Sequence, residues 1–265
     1  MANSHLGSRI LWFTSRDMTD LCSTTTRELA NGLTSKGYDL TVLGPGIEGG
    51  LGFKHITVKR SSRRGFRASS LAKNILQKLK NQDIERFSAA IVDWPLATKL
   101  EPYFTSNNIP WVLIDRSPPA DRGLLAKLQW KIWKSAWDLV KTGENIGGCV
   151  VSTAHAELVS NKTGINISSI GVIPAGVNLE KFSHVNRDEK EKLKLVYHGQ
   201  IDRHRGVANM PKLHLELQKI GIESELMIVG DGDYFSTLKS QYQDVENIHI
   251  MYKLPQNQLS EILSS

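Results

Sequence analysis

Two α/β domains in tandem, each a parallel sheet flanked by helices, is the fold class that three observations predict. Short apolar runs ending in glycine or a polar loop alternate with amphipathic segments, as buried parallel strands joined by helices do. The segment from Arg9 to Leu43 reads as strand, helix, strand. A second strand–helix–strand reading runs from Leu193 to Val229, after a break at Pro174 and Gly176.

Arg9–Thr14 (RILWFT) is the first buried strand, followed by a polar segment from Ser15 to Ser23. A helix follows from about Thr24 to Lys36, with Leu29 and Leu33 inward and Gly37 as its stop. Ser23 and Thr24–Thr26 offer hydroxyls and helix-start amides to an anion, or serve as an N-cap and nothing more. Leu40–Leu43 is the second strand. Lys59, Arg60, Arg63, Arg64 and Arg67 then crowd around Phe66, ahead of a helix marked by Leu71, Ile75 and Leu79. Such a run is either a solvated loop or a patch for phosphate or a membrane surface. No nucleic-acid-binding module accompanies it, so nucleic acid is not an expected partner.

Ala89–Val92 and Trp111–Ile114 are further strands, ending at Asp93-Trp94-Pro95 and at Asp115-Arg116-Ser117-Pro118-Pro119. Asp115 either caps that turn or takes part in chemistry. Gly123–Lys141 has lysines on one helical face and Leu125, Leu128, Ile132, Trp133, Ala136, Trp137 and Val140 on the other. The apolar face either packs in the core or, with Trp130, Trp133 and Trp137, anchors the chain at a membrane. Cys149–Ser152 is a strand, and His155 on the helix that follows reads as exposed. Ile170–Ile173 closes the first domain, which spans 1–182 with a hinge at 174–182; the second spans 183–265.

In the second domain Leu193–Tyr197 is a strand ending at Gly199, and a polar loop with Gln200, Arg203 and Arg205 is closed by Gly206. Leu213, Leu217 and Ile220 set the inward face of a helix that Gly221 stops. Glu225–Val229 is the next strand, turning tightly at Gly230-Asp231-Gly232-Asp233. Asn247–Met251 and the helix Gln256–Leu263 complete the reading. Ligands of doubly wound sheets bind at the carboxyl ends of the strands, where these loops lie.

The composition fits a globular chain: 265 residues, 40% hydrophobic, 23% charged, net charge +6. No apolar run reaches the roughly 18 residues of a membrane-spanning helix. Two cysteines, Cys22 and Cys149, form no disulfide framework, so the expected compartment is the cytoplasm. The positive charge points to an anionic partner.

Three motifs in order, IPAGVN at Ile173–Asn178, YHGQ…RG at Tyr197–Gly206 and IVGDGD at Ile228–Asp233, resemble the retaining, nucleotide-sugar-dependent glycosyltransferases of GT-B fold, group 1 (the family 4 type). That resemblance implies a complete Rossmann-like acceptor-side domain followed by a partial Rossmann-like nucleotide-sugar domain. It implies a nucleoside-diphosphate sugar as donor and a glycan or lipid-linked acceptor, with contact at the inner face of the cell membrane. The donor diphosphate falls to Gly199, Gln200, Arg203, Arg205 and Gly206, and the donor-side loops to Gly230, Asp231, Gly232 and Leu254. Cations on that diphosphate stabilise the charge growing on the leaving group. The family places an arginine where Gln200 stands and a lysine where Arg205 stands. It often places a donor-sugar histidine near Asp115 and Arg116, which are the catalytic candidates here. Arg60, Arg63, Arg64 and Arg67, with the three tryptophans, form the membrane or acceptor patch. No metal or other cofactor is implied, and transfer proceeds on the front face.

The family's second domain also carries two glutamates eight positions apart, and no such pair follows Tyr252–Leu254 in this chain. The expectation is a fragment, one half of a split enzyme, or an incomplete catalyst covered by an oligomer or partner chain. The alternative readings are a non-catalytic nucleotide- or membrane-binding subunit and a sugar-nucleotide epimerase.

Overall fold

The computed structural model describes residues 9–20, 23–46, 50–63, 65–81, 86–119, 124–144, 146–176, 179, 182 and 192–264. Arg64, Cys22 and residues 177, 178, 180 and 181 of the expected hinge lie outside these residues. The chain forms two compact units, Met1–Gly176 and Val177–Ser265.

The first unit is a seven-stranded parallel sheet made of β1 (Arg9–Phe13), β2 (Asp39–Gly44), β3 (Lys54–Thr57), β4 (Ala89–Asp93), β5 (Trp111–Asp115), β6 (Ile146–Val150) and β7 (Ile170–Val172). Its order is β3-β2-β1-β4-β5-β6-β7. The chain moves outward from β1 to β3, then returns to lay β4 on the other side of β1, with Phe13 beside Val92. Between β1 and β4 the loops leave in opposite directions and open a crevice at the carboxyl ends of the strands.

Five helices cross between these strands: α1 (Thr24–Ser35), α2 (Arg67–Lys80), α3 (Trp94–Ser106), α4 (Leu124–Thr142) and α5 (Thr153–Thr163). Strand alternation divides the core. Leu11 and Phe13 join Leu71, Ile75, Leu96 and Phe104 on one face. Trp12 joins Val42 and Ala30 on the other. The ends of α5 follow local chemistry, for Ser152 Oγ accepts the His155 amide at 3.2 Å and Gly164 turns left-handed with φ 73°. Ser23 makes no such cap. It is buried, and its hydroxyl donates to the Asp20 carbonyl.

Two elements of the first unit escape the sequence reading, as does the helix over Phe235–Tyr242 in the second. β3 is only four residues long, at the sheet edge, and α3 carries Pro102 inside it, which reads as a breaker. Two faces also differ from expectation. In α4 only Trp133, Ala136 and Trp137 are buried, while Leu124, Leu125 and Leu128 stand 83%, 41% and 49% exposed. The fully buried Trp133 and Trp137 therefore form no membrane patch, and the half-buried Trp130 packs edge-on against Trp133 with Lys162 over its ring.

The second unit is a three-stranded parallel sheet, ordered β10-β9-β8, from β8 (Leu193–Gln200), β9 (Ser224–Asp231) and β10 (Ile248–Tyr252). Its helices are α6 (Met210–Lys219), α7 (Phe235–Tyr242) and α8 (Gln256–Ser264). A separate core of Ile201, Val207, Leu226, Ile228, Leu238, Ile248 and Ile250 holds it. α6 does not turn Leu213 and Ile220 inward as expected. Both are exposed, and Pro211 and His214 face the sheet, with His214 Nδ1 2.9 Å from Ser224 Oγ. Among the described residues no helix is long and apolar enough to cross a membrane.

Candidate functional site

The second unit gathers its candidate residues where parallel register brings three strand ends level. Gly199 pairs with Gly230, Gln200 with Asp231, and Tyr252 with Gly230. A Cβ on Gly230 would run into the Gly199 carbonyl, and one on Gly232 into the Ile201 carbonyl and the Asp202 carboxylate. The glycines of the IVGDGD motif are therefore what lets the two loops lie backbone to backbone. Gly206 is left-handed at φ 74°, which turns the chain from the cationic loop towards α6.

Within that loop Arg205 Nη2 donates to Gln200 Oε1 at 3.2 Å, and its Nε lies 4.0 Å from Asp202. Gln200, standing where the resembled family has an arginine, thus aims the remaining one. Arg203 turns aside and lies 5.0 Å above the Tyr234 ring. Tyr252 donates its hydroxyl to Asp231 Oδ2 at 2.8 Å, and that hydrogen bond raises the phenol's pKa above its usual value. Lys253 Nζ lies 3.8 Å from the same oxygen, and Leu254 follows, half-buried. A half-exposed arginine held from two sides beside free strand ends suits an incoming phosphate.

In the first unit the candidates separate. Asp115 lies at the end of β5 without solvent exposure. Its Oδ2 accepts from Trp133 Nε1 at 2.6 Å and Trp137 Nε1 at 3.0 Å, and its Oδ1 from the Ser117 amide at 3.2 Å. His155 is buried rather than exposed; its Nε2 lies 3.2 Å from Asp115 Oδ2, outside hydrogen-bond alignment. So enclosed, the Asp115 carboxylate cannot reach a ligand, and its place among the catalytic candidates gives way to a structural one.

Arg116, one residue on, enters the crevice between β1 and β4. Burial, then the nearby Arg16 charge, lowers its pKa, while Asp93 opposes them. Asp93 ends β4 and binds the end of β1: it accepts from Thr14 Oγ1 at 2.8 Å, the Ser15 amide at 3.0 Å and Trp12 Nε1 at 3.3 Å. Burial raises this carboxyl's pKa despite those donors. Arg16 Nη2 reaches Ser117 Oγ at 3.3 Å. Arg60 donates to the Ser15 carbonyl at 2.7 Å and lies 3.8 Å from Asp17. The basic run therefore divides: Arg60 faces this crevice, while Arg63 and Arg67 stay at the surface with Phe66. Sequence reasoning missed Arg16 and Thr14, and took Tyr252 for its backbone alone, not for its hydroxyl on Asp231. Only the strand-end position of Asp93 and the polar stretch after β1 pointed there.

No protein-family model matches the chain, and no curated protein matches it in sequence. Solved structures share its fold. Sucrose-phosphate synthase from Thermosynechococcus elongatus superposes with a TM-score of 0.70 at 14% identity, over 97% of this chain and 73% of that one. WaaG, a glycosyltransferase involved in lipopolysaccharide biosynthesis, gives 0.66 at 14% identity, over 96% and 72%. UDP-GlcNAc 2-epimerase from Neisseria meningitidis gives 0.59 at 11% identity, over 96% and 74%. The chain has the GT-B fold and spans about 70% of the length of these structures.

Proposed function

We propose that the chain is the acceptor-side domain and the opening of the donor domain of a retaining glycosyltransferase. It takes a sugar from a nucleoside-diphosphate donor to a glycan or lipid-linked acceptor, at the inner face of the cell membrane and with no cofactor. The observation that carries this reading is the loop after β8, where Gln200 and Asp202 hold Arg205 at the strand ends that Gly230 and Gly232 bring together. A cation so fixed stabilises the leaving diphosphate more as the glycosidic bond breaks than before it. In front-face transfer that phosphate also takes the acceptor's proton, so no protein nucleophile is needed.

Epimerisation is the second reading, favoured by the fold shared with the epimerase. The better superposition on the two sugar-transfer structures favours transfer. Calorimetric titration of the chain with UDP, GDP and ADP tests the donor site. One nucleotide should bind saturably, and Arg205→Ala should weaken it about tenfold to a hundredfold, as loss of a charged hydrogen bond does. Absence of binding to all three would remove the donor site from this chain. Incubating the binding nucleotide's sugar with the chain and looking for a 2-epimer separates the two chemistries.

A further inference from the structure

The second unit leaves one edge of its sheet without the usual protection. β10 has β9 on one side and, among the described residues, no strand on the other. Edge strands ordinarily carry a lysine, a proline or a bulge that stops a foreign strand from adding on. β10 reads Ile-His-Ile-Met-Tyr, and the first lysine and proline come at Lys253 and Pro255, after the strand has ended. β8, at the opposite edge, carries Lys194 within its span and ends near Gly199 with φ 143°. β10 is therefore the edge open to addition.

A groove of about 390 Å³ marks the same place. Ile248 and Ile250 line it together with His249 and Met251, which alternate to the opposite face of the sheet. Residues of both faces meet in one groove only where it runs along the free edge itself. Met227 from β9 and Tyr242 from α7 also line it, so an added strand finds contacts for its side chains as well as for its backbone.

The strand that fits is a second β10. Laid antiparallel about a twofold axis at Ile250, all five residues pair: Ile250 with Ile250, Ile248 with Tyr252, His249 with Met251. Apolar and aromatic pairs of this kind hold strands together, and no pair sets like charges opposite each other. Charge completes the match. In the parallel register Glu225 lies level with the residue before Ile248, whereas Lys253 directly follows Tyr252. An antiparallel copy thus brings its Lys253 to the end where Glu225 stands, and the twofold repeats this at the other end. Each already has a partner in its own copy, His249 at 3.1 Å and Asp231 at 3.8 Å, so the contact extends existing networks. A strand of unrelated sequence gains the backbone ladder alone.

We propose that the chain associates with a second copy of itself through β10, joining two three-stranded sheets into one of six. The carboxyl ends of the two halves then point in opposite directions, so each set of donor-side loops stays open. This pairing does not rest on the glycosyltransferase reading.

Sedimentation equilibrium of the full chain tests it. Dimers should form as concentration rises, and nothing larger, because pairing uses up the edge. Met251→Lys charges the edge at a half-buried side chain outside the core, and should raise the dimer Kd at least about tenfold. If circular dichroism shows that variant unfolded, Lys253→Glu takes its place. It should weaken the dimer several-fold, and adding Glu225→Lys should restore it. Amide hydrogen exchange at Ile248–Tyr252 should slow as dimers form, and exchange at β8 should not change. A chain that stays monomeric overturns the proposal, as does a dimer that a folded Met251→Lys or Lys253→Glu leaves intact. Slowing at β8 in place of β10 also overturns it. UDP titration reads the donor-side loops, so either conclusion can fail while the other stands.

Discussion

Asp115 is a carboxylate without water, and its environment explains why it remains there. Two indole N–H groups and one backbone amide point at it, so β5, α4 and the turn at Ser117 are tied together through one side chain. Asp115→Asn keeps the shape but exchanges an acceptor oxygen for an NH₂, which leaves either both indole donors or the Ser117 amide unanswered in a closed space. The expected result is a loss of about 1–3 kcal/mol in urea unfolding, with UDP binding retained in the folded fraction. A variant of unchanged stability that loses UDP binding would instead return Asp115 to the ligand contact that its strand-end position suggests. The sequence makes half of this visible. A strand-end aspartate two residues before Ser117 announces the turn, because that bond is local. The indoles lie 18 and 22 residues away, and only the packing of α4 brings them in.

At the scale of elements, α4 shows why amphipathic stripes mislead. Its apolar residues form one continuous stripe in sequence, yet the sheet reaches only the half from Trp133 onward. The first half extends beyond the core, and Leu125 Cδ2 lies 3.7 Å from where a Cβ on Gly65 would be. That brings Leu125 close to Gly65, next to Phe66, which is 65% exposed; Leu124 and Leu128 are exposed on the same helix end, and Arg63, Arg67, Lys127 and Lys131 are exposed on the same segments. We propose that these residues, and not the tryptophans, make the membrane contact, apolar side chains entering the interface beneath a cationic rim. Flotation with phosphatidylglycerol vesicles should carry the chain at low salt. Leu124→Asp with Leu128→Asp should cut the floated fraction about tenfold or more without changing stability, since neither leucine is in the core. Equal flotation of variant and parent would exclude this surface. The glycine motifs were legible for the opposite reason: Gly230 and Gly232 answer a backbone approach fixed within their own loops, whatever α4 or α6 packs against.

The molecule as a whole has two cores of unequal size, and their probes happen to be separate. All six tryptophans (Trp12, Trp94, Trp111, Trp130, Trp133 and Trp137) belong to the first unit, so indole fluorescence reports that unit alone, while far-ultraviolet circular dichroism reports both. The second unit rests on a three-stranded sheet and one small cluster, and β8 pairs on one side only among the described residues. A smaller core buries less apolar surface per residue, which leaves less to set against chain entropy. The chain should therefore unfold in urea in two steps, dichroism falling first and fluorescence later. The donor nucleotide should move one step. A nucleotide at a hundred times its Kd adds about 2.7 kcal/mol to the unit that binds it, and at about 1–3 kcal/mol per molar urea shifts that midpoint by about 1–3 M. UDP, or whichever nucleotide binds, should raise the earlier step, the one seen by dichroism without a fluorescence change, and leave the later step in place. Coincident transitions by both probes, moved together by the ligand, would mean that the two units unfold as one.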